Sequence, residues 1–371
     1  MRKRLAYINP DCFTHVDLTI LSSLAKDMDI LWIPIIYNGK SDYSEEYLKR
    51  YAGEYGIEIR IVHTDIRTRS PRNLAFYGKL AEIVNGWGCD IVFSTLNDIY
   101  WTMVSTVRIK STIVRGIHDY IQHSGFNKGK LLQLSSDFNI LFNKHFIFYS
   151  DNQLRLFKEK HQGKHAANVG MVNLDYGMSS LEPMPLTDSL KLLFFGRIDE
   201  YKGLDTLIGA MEELYSQNKK KIKLTICGRG AYWEKCKSLI SHSELYDLNI
   251  RFIDNDEIPD LFMSNHFLVL PYKDATQSGP MMIALNYGVP VIAPDIPAFS
   301  EFCDNENSVR YASGNLTGAL ERCMEMTDPE YRSIKGKWDQ VKQMHTSRSI
   351  ADNYIQFFKE INNGWQSSVH R

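Results

Sequence analysis

The sequence predicts an α/β protein built from two Rossmann-like, doubly wound domains. The chain has 371 residues, more than one ordinary core holds, and 44% of them are hydrophobic. Apolar runs of strand length alternate with helical periodicity from one end to the other. That alternation is typical of parallel sheets covered by helices on both faces. A stretch rich in Pro, Ser and Gly, residues 173–190, separates two such series.

The first series predicts a domain at residues 1–172. Its strand-length runs are RLAYIN, DILWIPII, IEIRIV, DIVFST, STIVRGI and HFIFYS. The second series predicts a domain at residues 190–345, with the runs LKLLFFG, KIKLTICG, NIRFI, HFLVLPY and VPVIAP. Two segments between these strands have helical periodicity, GLDTLIGAMEELYSQ and AYWEKCKSLISH. Residues 346–371 are expected to form a C-terminal helix, SIADNYIQFFKEINN, that packs back towards the first domain.

Composition excludes several classes of function. A formal net charge of −1 argues against a nucleic-acid-binding protein. Residues 1–180 carry a net charge of +4 and the remainder −5, so the mildly basic first half is compatible with contact with an anionic membrane. The apolar stretch at the N-terminus is too short for a signal peptide. The sequence therefore predicts a cytoplasmic protein, at most peripheral to the inner membrane face. The six cysteines form no CxxC pair or zinc-type cluster.

The segment LLFFGRIDEYKGLDTLIGAM is the first that indicates chemistry. A predicted strand ends at Gly196, Arg197 follows directly, and Lys202 and Gly203 lie where the next helix begins. Two cations near a helix N-terminus complement a diphosphate, and glycine allows close approach of a ligand to the backbone. The alternative is a pair of solvated side chains in an ordinary loop.

The segment DATQSGPMMIALNYGVP, residues 274–290, is the second. It follows a predicted strand and places three small polar residues and a glycine at the start of an apolar helix: Thr276, Gln277, Ser278 and Gly279. Hydroxyls, an amide and unpaired backbone N–H groups at a helix N-terminus bind phosphate or sugar oxygens. The alternative is a plain helix cap by Thr276 or Ser278.

Together these segments resemble the donor domain of retaining, GT-B-fold glycosyltransferases of the family 4 type, the glycosyl transferases group 1. The resemblance covers most of residues 190–302 and rests on an ordered set of motifs: GR followed by KG, LTICGRG, LVLPYKDATQSG and YGVPVIAPDIPAFSE. It implies two Rossmann-like domains facing each other across a cleft. It also implies a metal-independent hexosyltransferase without a cofactor, whose substrate is a nucleotide-sugar, either a UDP- or a GDP-sugar. The implied acceptor is a glycan or a lipid-linked intermediate of bacterial surface polysaccharide synthesis.

The resemblance also assigns residues to roles. Arg197 and Lys202 would hold the diphosphate and stabilise the departing nucleotide, and His118 in GIHDY would face the transferred sugar. A purely structural histidine is the alternative for His118. The residues that would bind the donor are Gly196, Gly228, Thr276, Gln277, Ser278 and Gly279.

The chain departs from the family pattern at two places. Many members carry two glutamates eight residues apart after the proline-ended strand, where this chain has Ala275 and Ile283. The TQSG loop is expected to replace the first glutamate, and no residue is assigned to the ribose. The family's Gly-Gly loop is replaced by NPDCFTHVD, which makes Asp11 and His15, together with Asp119, candidate acceptor-side residues.

Two alternatives remain open. Asp254 and Asp256 form a D-x-D pattern that binds a divalent metal in another glycosyltransferase fold; here we expect both to cap a short helix, with no metal site. The departures also leave room for a non-catalytic nucleotide-sugar-binding subunit, or for a phosphorylase or epimerase on the same fold.

Overall fold

A computed structural model of the protein describes residues 2–39, 41–121, 129–182, 184–186, 189–219 and 221–362. The described residues divide into two compact units. The N-terminal unit comprises residues 2–121, 129–172 and 347–362. The C-terminal unit comprises the described residues of 173–346.

The N-terminal unit alternates strands and helices along the chain. Its elements are β1 (Lys3–Pro10), α1 (Thr14–Leu24), β2 (Met28–Tyr37), α2 (Glu45–Glu54), β3 (Glu58–Ile59), β4 (Val62–Thr64), α3 (Asn73–Trp87), β5 (Ile91–Ser94), α4 (Ile99–Arg108), β6 (Thr112–Ile117), α5 (Gly129–Phe142), β7 (His145–Phe148), α6 (Asp151–Lys160) and β8 (His165–Asn168). The sheet is parallel with the order β3-β2-β1-β5-β6-β7-β8, and β4 also pairs with β2.

The C-terminal unit repeats the alternation. Its elements are β9 (Leu190–Phe195), α7 (Leu204–Ser216), β10 (Ile222–Cys227), α8 (Trp233–Lys237), β11 (Tyr246–Asn249), α9 (Ile258–Met263), β12 (Phe267–Val269), α10 (Gly279–Asn286), β13 (Val291–Pro294), β14 (Val309–Tyr311), α11 (Leu316–Glu325) and α12 (Asp328–Met344). The parallel sheet has the order β11-β10-β9-β12-β13-β14. The last helix, α13 (Ser347–Ile361), returns to the N-terminal unit and packs against α1.

The prediction of two Rossmann-like doubly wound sheets is confirmed. In each sheet the strand order reverses once, between β1 and β5 in the first and between β9 and β12 in the second. Central strands are buried on both faces, as parallel strands covered by helices must be; in β2 only Asp29 is exposed. The core of the C-terminal unit joins the strands to the stripe of α7 that includes Leu204, Leu207 and Met211.

The edge strands differ from the sequence prediction. The prediction of a strand at NIRFI was wrong. The strand that pairs with β10 is β11, which lies earlier in the chain, at Tyr246–Asn249. IEIRIV forms two short pieces, β3 and β4, and neither β8 nor β14 was predicted. An edge strand pairs on one side only and keeps exposed residues, such as Leu248, so its apolar pattern is weak.

Candidate functional site

The two motif-bearing loops leave neighbouring strands of the C-terminal sheet. The Gly196–Lys202 segment follows β9, and the stretch from Pro271 to Ser278 follows β12. The strand order reverses between β9 and β12. In open α/β sheets, ligands bind outside the carboxyl ends of the strands at such a reversal. The fold therefore brings the two predicted donor-binding segments to the position where a nucleotide is expected.

Two glycines allow these loops to pack against each other. Gly203 has φ +70°, and a Cβ atom there would lie 1.9 Å from the carbonyl oxygen of Pro271. Gly228 has φ +138°, and its Cβ would lie 1.8 Å from the carbonyl oxygen of Gly196. Any side chain at either position would force the backbones apart. The loops after β9, β10 and β12 therefore meet backbone to backbone.

Lys202 and the loop after β12 are joined by hydrogen bonds. Lys202 lies at the end of a 3-10 turn, Glu200–Lys202, and only 8% of it is exposed. Its Nζ donates to the phenolic oxygen of Tyr272 at 2.5 Å, and that oxygen lies 3.2 Å from Ser278 Oγ. Burial lowers the pKa of Lys202 to about 8. One short chain of polar atoms thus connects the two predicted motifs.

The opening of α10 combines both roles considered for the TQSG loop. Ser278 is the N-cap residue, and its Oγ accepts a hydrogen bond from the Met281 N–H at 3.3 Å. Thr276 and Gln277 are half-buried, and a Cβ on Gly279 would meet no atom within 4 Å among the described residues. Ser278 therefore stabilises the helix, while Gly279 leaves open space at its N-terminus.

Arg197 lies in a different environment from Lys202. Its side chain is 77% exposed, and Nη2 lies 2.7 Å from Asp199 Oδ2. An exposed ion pair of this kind contributes little to stability, so exchanging its partner for a phosphate costs little. Arg197 is thus an exposed cation at the start of the loop after β9, and Lys202 is a buried one at its end.

His118 lies in the N-terminal unit directly after β6. Its ring is sandwiched between Phe13, at a centroid distance of 4.0 Å and an interplanar angle of 5°, and Tyr149, at 4.5 Å and 21°. Phe13 belongs to the segment that follows β1. The carboxyl ends of β1 and β6 therefore meet at His118, and the stacking fixes the plane of the imidazole.

The other predicted acceptor-side residues occupy the same edge of that sheet with unequal exposure. Asp11 Oδ1 accepts hydrogen bonds from Ser41 Oγ at 3.0 Å and Thr14 Oγ1 at 3.2 Å. Burial raises the pKa of Asp11 and lowers that of His15. Asp119 is exposed. Asp11 is held in place by neighbouring hydroxyls, whereas Asp119 projects into solvent.

A buried polar cluster beside His118 was missed by the sequence analysis. Asp17 is 3% exposed and accepts a hydrogen bond from Tyr7 Oη at 2.5 Å. Burial raises the pKa of Asp17 to about 8, so the carboxyl group is mostly protonated at pH 7. Tyr354 of α13 donates to the Tyr149 hydroxyl at 3.2 Å. The sequence did contain one indication of this cluster, since Asp17 lies next to apolar residues in the helix α1. Leu18, Ile20 and Leu21 of that helix are buried.

A cavity of about 470 Å³ opens at the carboxyl ends of β10 and β11, lined in part by Cys227, Asn249 and Arg251. Its lining includes Cys227, the residue before Gly228, which the resemblance assigns to donor binding. The resemblance covered the glycines of LTICGRG but gave no role to the side chains of the following strand. The cavity is therefore visible only in the folded structure, and no sequence motif predicted it.

The expectation that Asp254 and Asp256 cap a helix was wrong in detail. Helix α9 has Glu257 as its N-cap residue, without a side-chain capping bond. The Glu257 carboxylate instead accepts the Asp254 N–H at 3.0 Å and pairs with both terminal nitrogens of Arg251. Within the described residues, no group of three or more His, Cys, Asp or Glu side chains is placed to hold a metal ion.

The fold is the GT-B type of two Rossmann-like domains, and comparisons with known proteins agree with it. Residues 189–326 match the family described as Glycosyl transferases group 1. The GDP-mannose:glycolipid 4-beta-D-mannosyltransferase of Xanthomonas campestris pv. campestris is 28% identical over 108 residues, 28% of this chain and 30% of that protein. The chain thus matches less than a third of this curated relative's length.

Two solved structures resemble nearly the whole chain. A glycosyltransferase from Rickettsia africae ESF-5 has a TM-score of 0.72 at 14% identity, covering 97% of this chain and 98% of that one. The Anabaena protein HepE in complex with UDP has a TM-score of 0.70 at 13% identity, covering 96% of this chain and 100% of that one. At these identities the likeness establishes the fold.

Helices long and apolar enough to cross a bilayer are absent from the part of the chain that the structure describes.

Proposed function

We propose that the protein is a retaining glycosyltransferase that moves a hexosyl group from a nucleotide-sugar to a hydroxyl acceptor. The observation that carries the proposal is the link from Lys202 through Tyr272 to Ser278, at the strand-order reversal of a domain that matches glycosyl transferases group 1. The names of two similar proteins, one acting with GDP-mannose and one binding UDP, support a GDP- or UDP-sugar as the donor. The donor is a substrate, and no cofactor is proposed.

Arg197 and Lys202 act by neutralising charge on the donor diphosphate. The bond between the anomeric carbon and the phosphate oxygen breaks, and the nucleoside diphosphate leaves with the electron pair. The acceptor oxygen forms its bond to the anomeric carbon on the same face, and its proton passes to the departing phosphate oxygen. Charge stabilisation and positioning then supply most of the rate enhancement, without a metal or a strong protein base.

The TQSG loop takes the place of the missing first glutamate. Thr276, Gln277 and the backbone N–H of Gly279 donate to phosphate and sugar oxygens, and Gly279 leaves space for their approach. Gly196 and Gly228 bring backbone to the same edge of the sheet. The cavity beside Cys227 receives the nucleoside. In the N-terminal unit, His118 contacts the transferred sugar, and Asp11, His15 and Asp119 contact the acceptor.

We assign the acceptor to glycans or lipid-linked intermediates of bacterial surface polysaccharide synthesis. Support comes from the glycolipid named as the substrate of the Xanthomonas relative and from the net charge of +4 on residues 1–180. That charge favours contact with an anionic membrane surface from the cytoplasmic side.

The decisive experiment is a thermal-shift screen against UDP-, GDP-, ADP- and CDP-sugars. A donor at 100 times its dissociation constant stabilises the folded state by about 2.7 kcal/mol. The best binder is then incubated with candidate acceptors, and NMR determines the anomeric configuration of the product. Binding without turnover would favour the non-catalytic subunit, and dependence on inorganic phosphate a phosphorylase. Reaction without an acceptor would favour an epimerase, and an inverted product would exclude a retaining enzyme.

A further inference from the structure

A second cavity lies in the N-terminal unit, at the amino ends of β7 and β8. It has a volume of about 730 Å³, within the range of small-molecule sites. His145 and His165 are the first residues of these two strands, whereas His118 follows the carboxyl end of β6. Strands of this sheet are parallel, so the cavity lies at the opposite edge from His118. We call it the lysine–histidine cavity.

The lining of the lysine–histidine cavity is cationic. Three lysines and three histidines face a single carboxylate, Glu360, and they are Lys144, Lys160, Lys164, His145, His161 and His165. Glu360 accepts a hydrogen bond from Gln356 at 3.2 Å. Among the described residues, none of the three lysines has a carboxylate within 4.0 Å, although many other surface cations are paired. Within the described part of the chain, the three lysines of this cavity therefore lack an ion-pair partner.

Several of these side chains are held in position. Lys164 donates from Nζ to the carbonyl oxygen of Asn143 at 2.7 Å and to that of Leu141 at 3.3 Å. His161 Nε2 lies 3.1 Å from the hydroxyl of Tyr120, and His165 stacks on Phe357 at a centroid distance of 5.3 Å. A lysine and two imidazole rings that are held in fixed positions provide pre-organised donors for an anion.

The pKa values of two of the histidines reflect burial and the neighbouring positive charge. Burial, then His165 and Lys144, lower the pKa of His145. Burial, then the positive charge of Lys164, lowers the pKa of His161, and the Asp137 carboxylate acts in the opposite direction. Both shifts show that further positive charge is disfavoured in the cavity. An anion bound there would relieve the repulsion, and a phosphoryl group suits the mixture of lysine and imidazole donors.

We propose that the lysine–histidine cavity binds a phosphoryl or diphosphoryl group, separately from the nucleotide-sugar site. The group comes either from a soluble phosphate compound or from a phosphomonoester lipid headgroup. The proposal does not depend on the proposed glycosyl transfer, because every residue that it uses lies outside the C-terminal unit.

The test is calorimetric titration of inorganic pyrophosphate into full-length Lys202→Met protein, in which the lysine of the donor site has lost its charge. The cavity variant adds Lys144→Gln and Lys160→Gln. The matched control adds Lys26→Gln and Lys158→Gln, which are also exposed lysines but lie outside the cavity, and Lys158 is on the same helix as Lys160. We expect the dissociation constant to rise at least about tenfold in the cavity variant and to stay unchanged in the control.

Sedimentation with phosphatidylcholine vesicles, with or without phosphatidic acid, identifies the source of the phosphoryl group. Binding of pyrophosphate that the cavity variant weakens supports a soluble ligand. Binding only to the phosphatidic acid vesicles, lost in the cavity variant, supports a lipid headgroup. Binding of neither probe, or an equal loss in the control variant, overturns the proposal.

Discussion

Lys202 donates a hydrogen bond from Nζ to the phenolic oxygen of Tyr272 at 2.5 Å, and both residues are buried. Among the described residues, no carboxylate lies within ion-pair distance of the Lys202 ammonium. Its hydrogen bond goes to this neutral hydroxyl, and Asp199 acts on it only from farther away. Burial of an unpaired cation is costly, and that cost lowers its pKa to about 8. A donor diphosphate would supply the missing negative charge. Binding of the donor diphosphate would thus offset the free-energy cost of burying the Lys202 charge.

The first prediction concerns the two cations. Arg197→Ala and Lys202→Ala should each lower the turnover number by about 10² to 10³, because each removes a pre-organised contact to the leaving group. Circular dichroism and thermal unfolding should show an intact fold. Lys237→Ala, at an exposed position on α8, is the matched control and should retain full activity. Near-normal turnover in both site variants would exclude the diphosphate assignment.

The second prediction concerns pH. Free Lys202 loses its proton near pH 8, so the affinity for UDP or GDP should fall about tenfold between pH 7 and pH 9, as the charged form becomes scarce. Lys202→Met, which has a neutral side chain of similar length, should bind weakly and with no slope over the same interval. Calorimetric titrations at pH 7, 8 and 9 measure both proteins. Parallel slopes in the two would show that another group titrates.

How far the sequence predicts the donor site depends on what holds each residue there. Gly203 and Gly228 could be found because their backbone conformations and close contacts tolerate only glycine, so they occur at fixed places in a motif. Arg197 and Lys202 follow the same strand and are equally visible in the sequence. Their difference in burial is not visible, because Tyr272 reaches Lys202 across 70 positions of the chain.

The same limit applies in the N-terminal unit. The strand-end position of His118 was readable, but its stacking between Phe13 and Tyr149 joins three segments distant in sequence. The cluster around Asp17 even includes Tyr354 from the last helix, which the fold returns to the first sheet. Contacts of this kind depend on the topology of the fold, so a local sequence pattern can indicate the residues involved but not which of them meet.

The third prediction concerns stability and Asp17. Its pKa is about 8 in the folded protein and near 4 when unfolded, so the folded state binds more protons between these values. Stability should therefore fall as the pH rises through this window, by up to about 1.4 kcal/mol per unit from this group. Asp17→Asn keeps an acceptor for Tyr7 and should remove that slope. Urea unfolding at pH 5, 6 and 7 tests it, and an unchanged slope would show that Asp17 is ionised in the fold.

The fourth prediction concerns metal ions. Activity should survive EDTA, since Glu257 is bound to Arg251 and to the Asp254 backbone. The described residues around Asp254 and Asp256 also form no group that could hold a metal ion. Asp254→Asn and Asp256→Asn should be equally harmless to turnover. Loss of activity on chelation, restored by Mn²⁺ or Mg²⁺ and abolished in either variant, would show that the D-x-D segment binds the donor metal.

The last prediction separates the two roles of the TQSG loop. Ser278 caps α10, so Ser278→Ala should cost about 1 kcal/mol of folding stability. Gln277 lies one residue before the cap, and Gln277→Ala should weaken donor binding by more than its effect on stability explains. Gly279→Val should also reduce donor affinity, because its methyl groups would occupy the open space at the helix N-terminus.

Gly279→Ala is the matched control for backbone effects, since both replacements restrict the residue before Pro280 and only valine adds the larger side chain. Titration of the best nucleotide-sugar into each variant, with urea unfolding alongside, measures affinity and stability separately. A loop that only caps the helix would leave donor affinity unchanged in Gln277→Ala and Gly279→Val. A loop that holds the donor loses affinity in both, with valine more harmful than alanine at position 279.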